Sequence, residues 1–154
     1  MKHHKPQKRH IALQPLSREH HHGLLLCWKI KMGFKKNISS ERIWKYANWF
    51  YETHLIPHFE IEEKHVFPIL DNTNNLVNEA IEQHRELQML FTESTKVTNT
   101  LSAIEVLLEK HIRFEERVLF PEIQNMASET QMLDIEKIHQ SESFQDNLTD
   151  AFWK

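Results

Sequence analysis

Apolar residues recur at three- and four-residue intervals along most of the chain, and no stretch alternates apolar and polar residues for long. That spacing predicts helices and excludes a sheet-based fold. The first predicted helix runs from Ser17 to Lys35, with Ser17 as N-cap, Glu19 in the first turn, and Gly33 and Asn37 at its end. The second begins near Ser40 and reaches about Leu70, and Pro57 inside it predicts a kink. Asp71-Asn72-Thr73-Asn74-Asn75 reads as a turn. A third helix covers Leu76 to Lys96, and a fourth runs from Asn99 or Thr100 to Met126. Ser128 is the expected cap of a last helix ending around Asp150. Short connections make neighbours antiparallel, so the expected fold is all-α: an up-down-up-down antiparallel four-helix bundle with a short C-terminal helix. The expected organisation is an N-terminal tail over residues 1–16 and one bundle domain over 17–150.

The apolar stripes are interrupted in a regular way. In the fourth helix the inward stripe reads Ile104, Leu108, His111, Glu115, Val118; in the second it reads Tyr51, Leu55, His58, Glu62, His65, Ile69. In the third it reads Val77, Ile81, His84, Leu87, Phe91. Imidazoles and carboxylates thus stand where core residues belong. The interruption is repeated: His58 to Pro68 and His111 to Pro121 both read H-x-x-x-E-E-[KR]-x-x-F-P. The repeat extends backward to Glu19-x-His21-x-x-Leu24 and Glu82-x-His84-x-x-Leu87. Each half of the chain is one helix with a histidine, then one helix with a histidine and a glutamate four residues on.

That spacing has chemical meaning, because residues four apart share one helix face. A buried carboxylate without a partner costs several kcal/mol or changes protonation. Glu62 and Glu115 with four histidines on one axis would satisfy one another through metal ions. Surface His/Glu pairs explain one such motif, but not two copies on the core stripe with matched flanks. On the first helix, His21 shares a face with Leu24, Leu25, Trp28 and Met32, and it matches His84 in the repeat; His20 is the alternative. Nitrogen and carboxylate ligands without thiolates suit iron, manganese or zinc. Six protein ligands exceed one tetrahedral zinc, and two glutamates suit bridging, so the pattern favours a dinuclear centre.

Composition narrows the class further. The chain has 154 residues, enough for one domain with a real core. With 27% charged and 40% hydrophobic residues it belongs with folded globular proteins, and 2 glycines suit an all-helical one. A net charge of −3 argues against nucleic acid as a partner. The basic start (Lys2, Lys5, Lys8, Arg9) reads as a solvated tail with His3, His4 and His10 idle in it. It has no apolar run of secretory type, and Leu24 to Trp28 is too short to span a membrane. A single cysteine, Cys27, suits a reducing compartment. A cytoplasmic protein without membrane partners is expected.

The motif His58…Glu62 with Glu63 and Phe67-Pro68, repeated as His111…Glu115 with Glu116 and Phe120-Pro121, resembles the signature of the hemerythrin-like (HHE cation-binding) domain family. The resemblance covers roughly Ser17 to Met126. It implies a non-haem di-iron site with two Fe ions, in which His21, His58, His84 and His111 are terminal ligands. Glu62 and Glu115 would bridge the irons together with an oxo or hydroxo group. The chain departs from the oxygen-carrying members. Their third helix supplies two histidines four residues apart, whereas His84 has Ala80 and Gln88 at that spacing. Their fourth helix places its acid five residues after histidine, which here is Glu116, the alternative to Glu115. One histidine fewer leaves a coordination position open. The expected function is therefore binding of, or reaction with, oxygen, peroxide or nitric oxide; the alternative is iron storage, sensing or donation.

His54 and His65 flank the motif on the second helix, where either could orient a ligand. Glu62-x-x-His65 and Glu136-x-x-His139 also match the Glu-x-x-His of ferritin-like bundles, but Val118 stands where the fourth helix would need a histidine. Trp28, Trp44, Trp49, Phe50 and Phe91 read as packing residues, and Cys27 as a small core residue.

Overall fold

A computed structural model describes residues 8–138 and 144–154, which form helices and turns with no strand among them. Helix α1 spans Gln14–Lys35, α2 Ser40–Phe50, α3 Ile56–Ile61, α4 Asn75–Thr92, α5 Val97–Phe114, α6 Phe120–Met126 and α7 Glu129–Ile138. Helix α1 starts three residues earlier than expected, with Pro15 in its first turn, where a missing N–H costs nothing. The Ser17 hydroxyl does not cap it; it donates to Glu116 Oε2 at 2.8 Å. The segment before α1 is also packed. Ala12 and Leu13 are fully buried, and the Arg9 guanidinium donates to Gln124 Oε1 and the Glu116 carbonyl.

The end of α1 follows local chemistry. Asn37 takes φ 57°, the left-handed conformation asparagine tolerates, and Ile38 N–H closes onto Gly33 O. Asn74 caps α4 by accepting from Leu76 and Val77 N–H. Ser128 and Gln131 exchange side-chain to backbone hydrogen bonds at the start of α7, a capping box. Helix α7 is shorter than expected: Phe144 to Lys154 forms turns, not helix, and His139 lies outside the described residues.

The expected second and fourth helices are continuous, but three π-turns widen them, at Tyr51–Leu55, Glu62–Val66 and Glu115–Leu119. Each is closed by the N–H of the residue just before a proline: Ile56 before Pro57, Phe67 before Pro68, Phe120 before Pro121. A proline ring displaces the carbonyl four residues back and offers no N–H, so the preceding N–H reaches five back instead. Proline thus opens the helix by one residue where a kink was expected. The extra residue moves the inward stripe. His65 and Val118 were expected inside; both are exposed, and Val66 and Leu119 are fully buried in their place.

Cross-links fix the directions of the helices. Arg9 meets Gln124, His20 meets Glu116 and Lys31 meets Glu105, so α1 runs antiparallel to α5–α6. Lys29 meets Tyr46 and Glu19 meets His58, so α1 is also antiparallel to α2–α3. Tyr51 stacks on Phe91 and Glu63 meets His84, which sets α4 antiparallel to that second helix. The apolar core falls into two clusters. One holds Leu26, Ile30, Phe50, Leu87, Leu108 and the C-terminal Phe152 and Trp153. The other holds Leu13, Leu16, Phe67, Ala80, Leu119 and Ile123. Along each helix, the polar residues of the repeated motif lie between the two. No described helix is long and apolar enough to cross a membrane.

Candidate metal centre

Between the two apolar clusters lies a buried layer of histidines and glutamates. His20, His58, Glu62 and Glu115 form one group, and Glu62, His84, His111 and Glu115 form another; within each, the possible ligand atoms lie within 4.8 Å of one another. The two groups share both carboxylates. All six side chains are buried, with Glu62, His84 and Glu115 at 0% exposure.

The helix α1 residue corrects the sequence reading. His21 is exposed, while His20 points inward at 4% exposure. The error has a physical source. Leu25 and Trp28, the apolar neighbours that marked the His21 face as inward, are 37% and 47% exposed. The true inward face carries His20, Gly23, Cys27 and Ile30. The backward repeat is therefore Glu19-His20 with Gln83-His84. The structure brings the other five expected residues, His58, Glu62, His84, His111 and Glu115, into the layer. Glu116, the alternative to Glu115, lies outside it, against His20 Nδ1.

Each imidazole is held from behind. His20 Nδ1–H donates to Glu116 Oε2, His58 Nδ1–H to Glu19 Oε1, His84 Nδ1–H to Glu63 Oε2 and His111 Nδ1–H to Gln83 Oε1, all at 2.7 Å. The pattern closes on itself. The first helix orients the histidine of the second, the second that of the third, the third that of the fourth, and the fourth that of the first. The four acceptors were not identified from the sequence; the signal was the doubled acid of the repeat and the residue just before His20 and His84. His54 and His65, the expected orienters, do not serve. His65 is exposed, which also removes the ferritin-like pattern, and His54 packs against Trp49, Phe50 and Phe144.

A carboxylate or amide oxygen at Nδ1 fixes the proton there and leaves Nε2 as a lone pair facing inward. His20 and His58 then aim their Nε2 atoms at each other at 3.1 Å, and His84 and His111 do so at 3.2 Å. Neither lone pair has a donor unless a proton or a cation stands between them. Glu62 Oε1 and Oε2 and Glu115 Oε2 are buried with no hydrogen-bond partner among the described residues. Orphaned oxygens and converging lone pairs, all oriented from outside, are the donor set of a cation site. Without a cation, protons take over part of its role. Burial opposes a charge on His20, yet Glu115, Glu116 and Glu62 hold its pKa well above the imidazole range. His58 and His84 rise to about 9 against the same burial, driven mainly by Glu62 and by the acids behind them. Burial pushes the Glu62 carboxyl up, but His58, His20 and His84 hold it well below the usual range.

The phenylalanines of the repeat cover the imidazoles. Phe120 stacks on His20 at 5.3 Å and Phe67 on His84 at 5.6 Å, with Phe59 on the other imidazole contact of His84 at 3.9 Å. Each Phe-Pro pair therefore does two things: the proline opens the π-turn that begins at the glutamate, and the phenyl ring dries the neighbouring histidine.

A family model described as hemerythrin HHE cation binding domain matches residues 1–123. The chain belongs to the hemerythrin HHE cation-binding family. No curated protein and no solved structure matches it. The family is a cation-binding one, and the buried His/Glu groups of this layer could hold a metal ion. The HHE layer also has a way out. A cavity of about 730 Å³ reaches His20, His58 and His111 from the side lined by His22, Trp49 and Phe144.

Proposed function

We propose that the chain holds two iron ions through His20, His58, Glu62, His84, His111 and Glu115, and that the pair binds or reacts with oxygen, peroxide or nitric oxide. The observation that carries the reading is the sharing of Glu62 and Glu115 by two otherwise separate histidine pairs. Two ions held by these side chains would satisfy the orphaned Glu62 and Glu115 oxygens and the inward Nε2 lone pairs. Nitrogen and oxygen ligands without sulfur suit iron in this arrangement. Iron would supply redox change and a coordination position for the small ligand. The protein's own residues fix the imidazole planes through Glu19, Glu63, Gln83 and Glu116, exclude water with phenylalanine rings, and leave a route from outside. The antiparallel pairings favour the up-down-up-down four-helix bundle as the scaffold, and a cytoplasmic setting suits the single buried thiol, Cys27.

Metal content per chain tests this, on protein made without a histidine tag, beside a His58→Ala/His111→Ala variant. Two irons per chain, lost in the variant, with spectral change when the reduced protein meets oxygen, peroxide or nitric oxide, is the expected result. Two irons with no response to any of the three would leave storage, sensing or donation. One zinc per chain, or none of any metal, would overturn the proposal.

A further inference from the structure

The cavity beside the centre is much larger than a diatomic ligand needs. It holds about 730 Å³ among the described residues. Pockets for organic molecules run roughly 300–1,000 Å³, whereas a water-sized molecule takes about 30 Å³ of liquid volume. The outer end is aromatic, with His22, Trp49, Phe50, His54 and Phe144 in its lining. Phe144, from the C-terminal segment, lies nearly parallel to His22, with ring centres 4.1 Å apart and planes 14° apart. His54 lies 4.8 Å from the same ring and Phe50 lies 6.2 Å away. The slot is thus shaped for a flat six-membered ring, and a ring of the chain itself occupies it.

Two polar atoms in this slot are left over. His22 Nδ1 and His54 Nε2 are buried with no hydrogen-bond partner among the described residues. Buried polar atoms normally find partners, and a phenyl ring offers them none. Arg18 and Glu19 also line the cavity, with opposite charges, and the slot around Phe144 is built of aromatic rings. Beyond Phe144 the segment has its own anchors. Asp146 accepts from Lys29 Nζ at 2.7 Å and from Tyr46 Oη at 2.6 Å, and Phe152 and Trp153 are buried in the core.

We propose that this chamber binds a neutral single-ring aromatic compound of the phenol class, in the slot held by Phe144, with its hydroxyl satisfying His54 Nε2 or His22 Nδ1. The inference deepens the reading of the neighbouring centre as a small-ligand site, but the chamber rests on its own lining. The experiment therefore uses the full chain freed of metal, so that a failed chamber and a failed metal centre give separate results. Phenol, toluene and benzoate are titrated by calorimetry into the unmodified protein and Phe144→Ala, with a thermal melt of each variant to check folding. Removing the competing ring should tighten phenol binding about tenfold, since more of the protein is then competent to bind. On that background phenol should exceed toluene by about fivefold, the worth of one neutral hydrogen bond. The preference should vanish in Phe144→Ala/His54→Leu or in Phe144→Ala/His22→Leu. Equal binding of phenol and toluene, tighter binding of benzoate, an unchanged affinity in Phe144→Ala, or no saturation by about 10 mM would each overturn the proposal.

Discussion

Replacing His20 or His21 by alanine separates two adjacent residues with opposite surroundings. His21 is exposed, and among the described residues its ring neighbour is His22 at 5.6 Å. A surface change of this kind stays within about 0.5 kcal/mol. His20 is 4% exposed, lies 2.9 Å from Glu115 Oε1 and 3.1 Å from His58 Nε2, and stacks on Phe120. Its loss removes one of the four candidate ligand groups gathered with His58, Glu62 and Glu115. An ion at a hundred times its dissociation constant stabilises the folded state by about 2.7 kcal/mol. For a domain of this size each kcal/mol moves the melting temperature by roughly 2–4 °C. Two ions should therefore raise the midpoint by about 10–20 °C in the unmodified protein and in His21→Ala. In His20→Ala that rise should fall by about half. The assay is differential scanning calorimetry of metal-free protein titrated with ferrous iron under nitrogen, with bound metal counted in parallel. If His21→Ala loses the metal-dependent rise and His20→Ala keeps it, the inward assignment of His20 is refuted.

Three further outcomes follow from the same geometry. Glu63→Ala and Glu116→Ala should each weaken metal affinity about 10–100-fold without lowering the number of ions bound, because the proposed ligands are untouched and only the imidazole orientation is lost; competition with a chelator measures this, and an unchanged affinity contradicts the orienting role. In metal-free protein, His58 and His84 have folded pKa values of about 9, above 6.5. A raised pKa contributes stability that is complete below 6.5 and lost as pH rises through 9, so urea midpoints should fall across that window. With metal bound the trend should flatten or reverse, since the ligands must then be deprotonated. Among the glycines, Gly33→Ala should destabilise by about 1–3 kcal/mol, because a Cβ there meets Ile43 Cδ1 at 2.6 Å, Ile43 Cγ1 at 2.8 Å and Phe152 Cε2 at 2.9 Å. Gly23→Ala meets one movable methyl, Ile112 Cδ1 at 2.7 Å, and should be nearly neutral once helix propensity is counted, which thermal melts of the two variants would compare.

The repeated H-x-x-x-E-E-[KR]-x-x-F-P motif by itself determined the helical class, the family and five of the six inward side chains. Helical spacing puts His58 with Glu62 and His111 with Glu115 on one face whatever the rest of the chain does, and a carboxylate on a core stripe needs a compensating charge or a proton. Apolar periodicity failed where the surface is itself apolar: Leu25 and Trp28 made the outward face of α1 look inward, and only the packing of α1 against α3 and α5 selected His20. It failed again beyond each glutamate, because a regular helix was assumed and the pre-proline π-turns add a residue, turning Val66 and Leu119 inward. The ring of Nδ1 acceptors was out of reach for a different reason. Glu19, Glu63, Gln83 and Glu116 each serve a histidine on another helix, and such pairings exist only once the helices are laid side by side. The chamber and its Phe144 plug are likewise tertiary, since they join α1, α3 and a C-terminal segment more than eighty residues further along. Spacing along one helix fixes what a face can do chemically; which residues meet across faces is decided by how the helices pack.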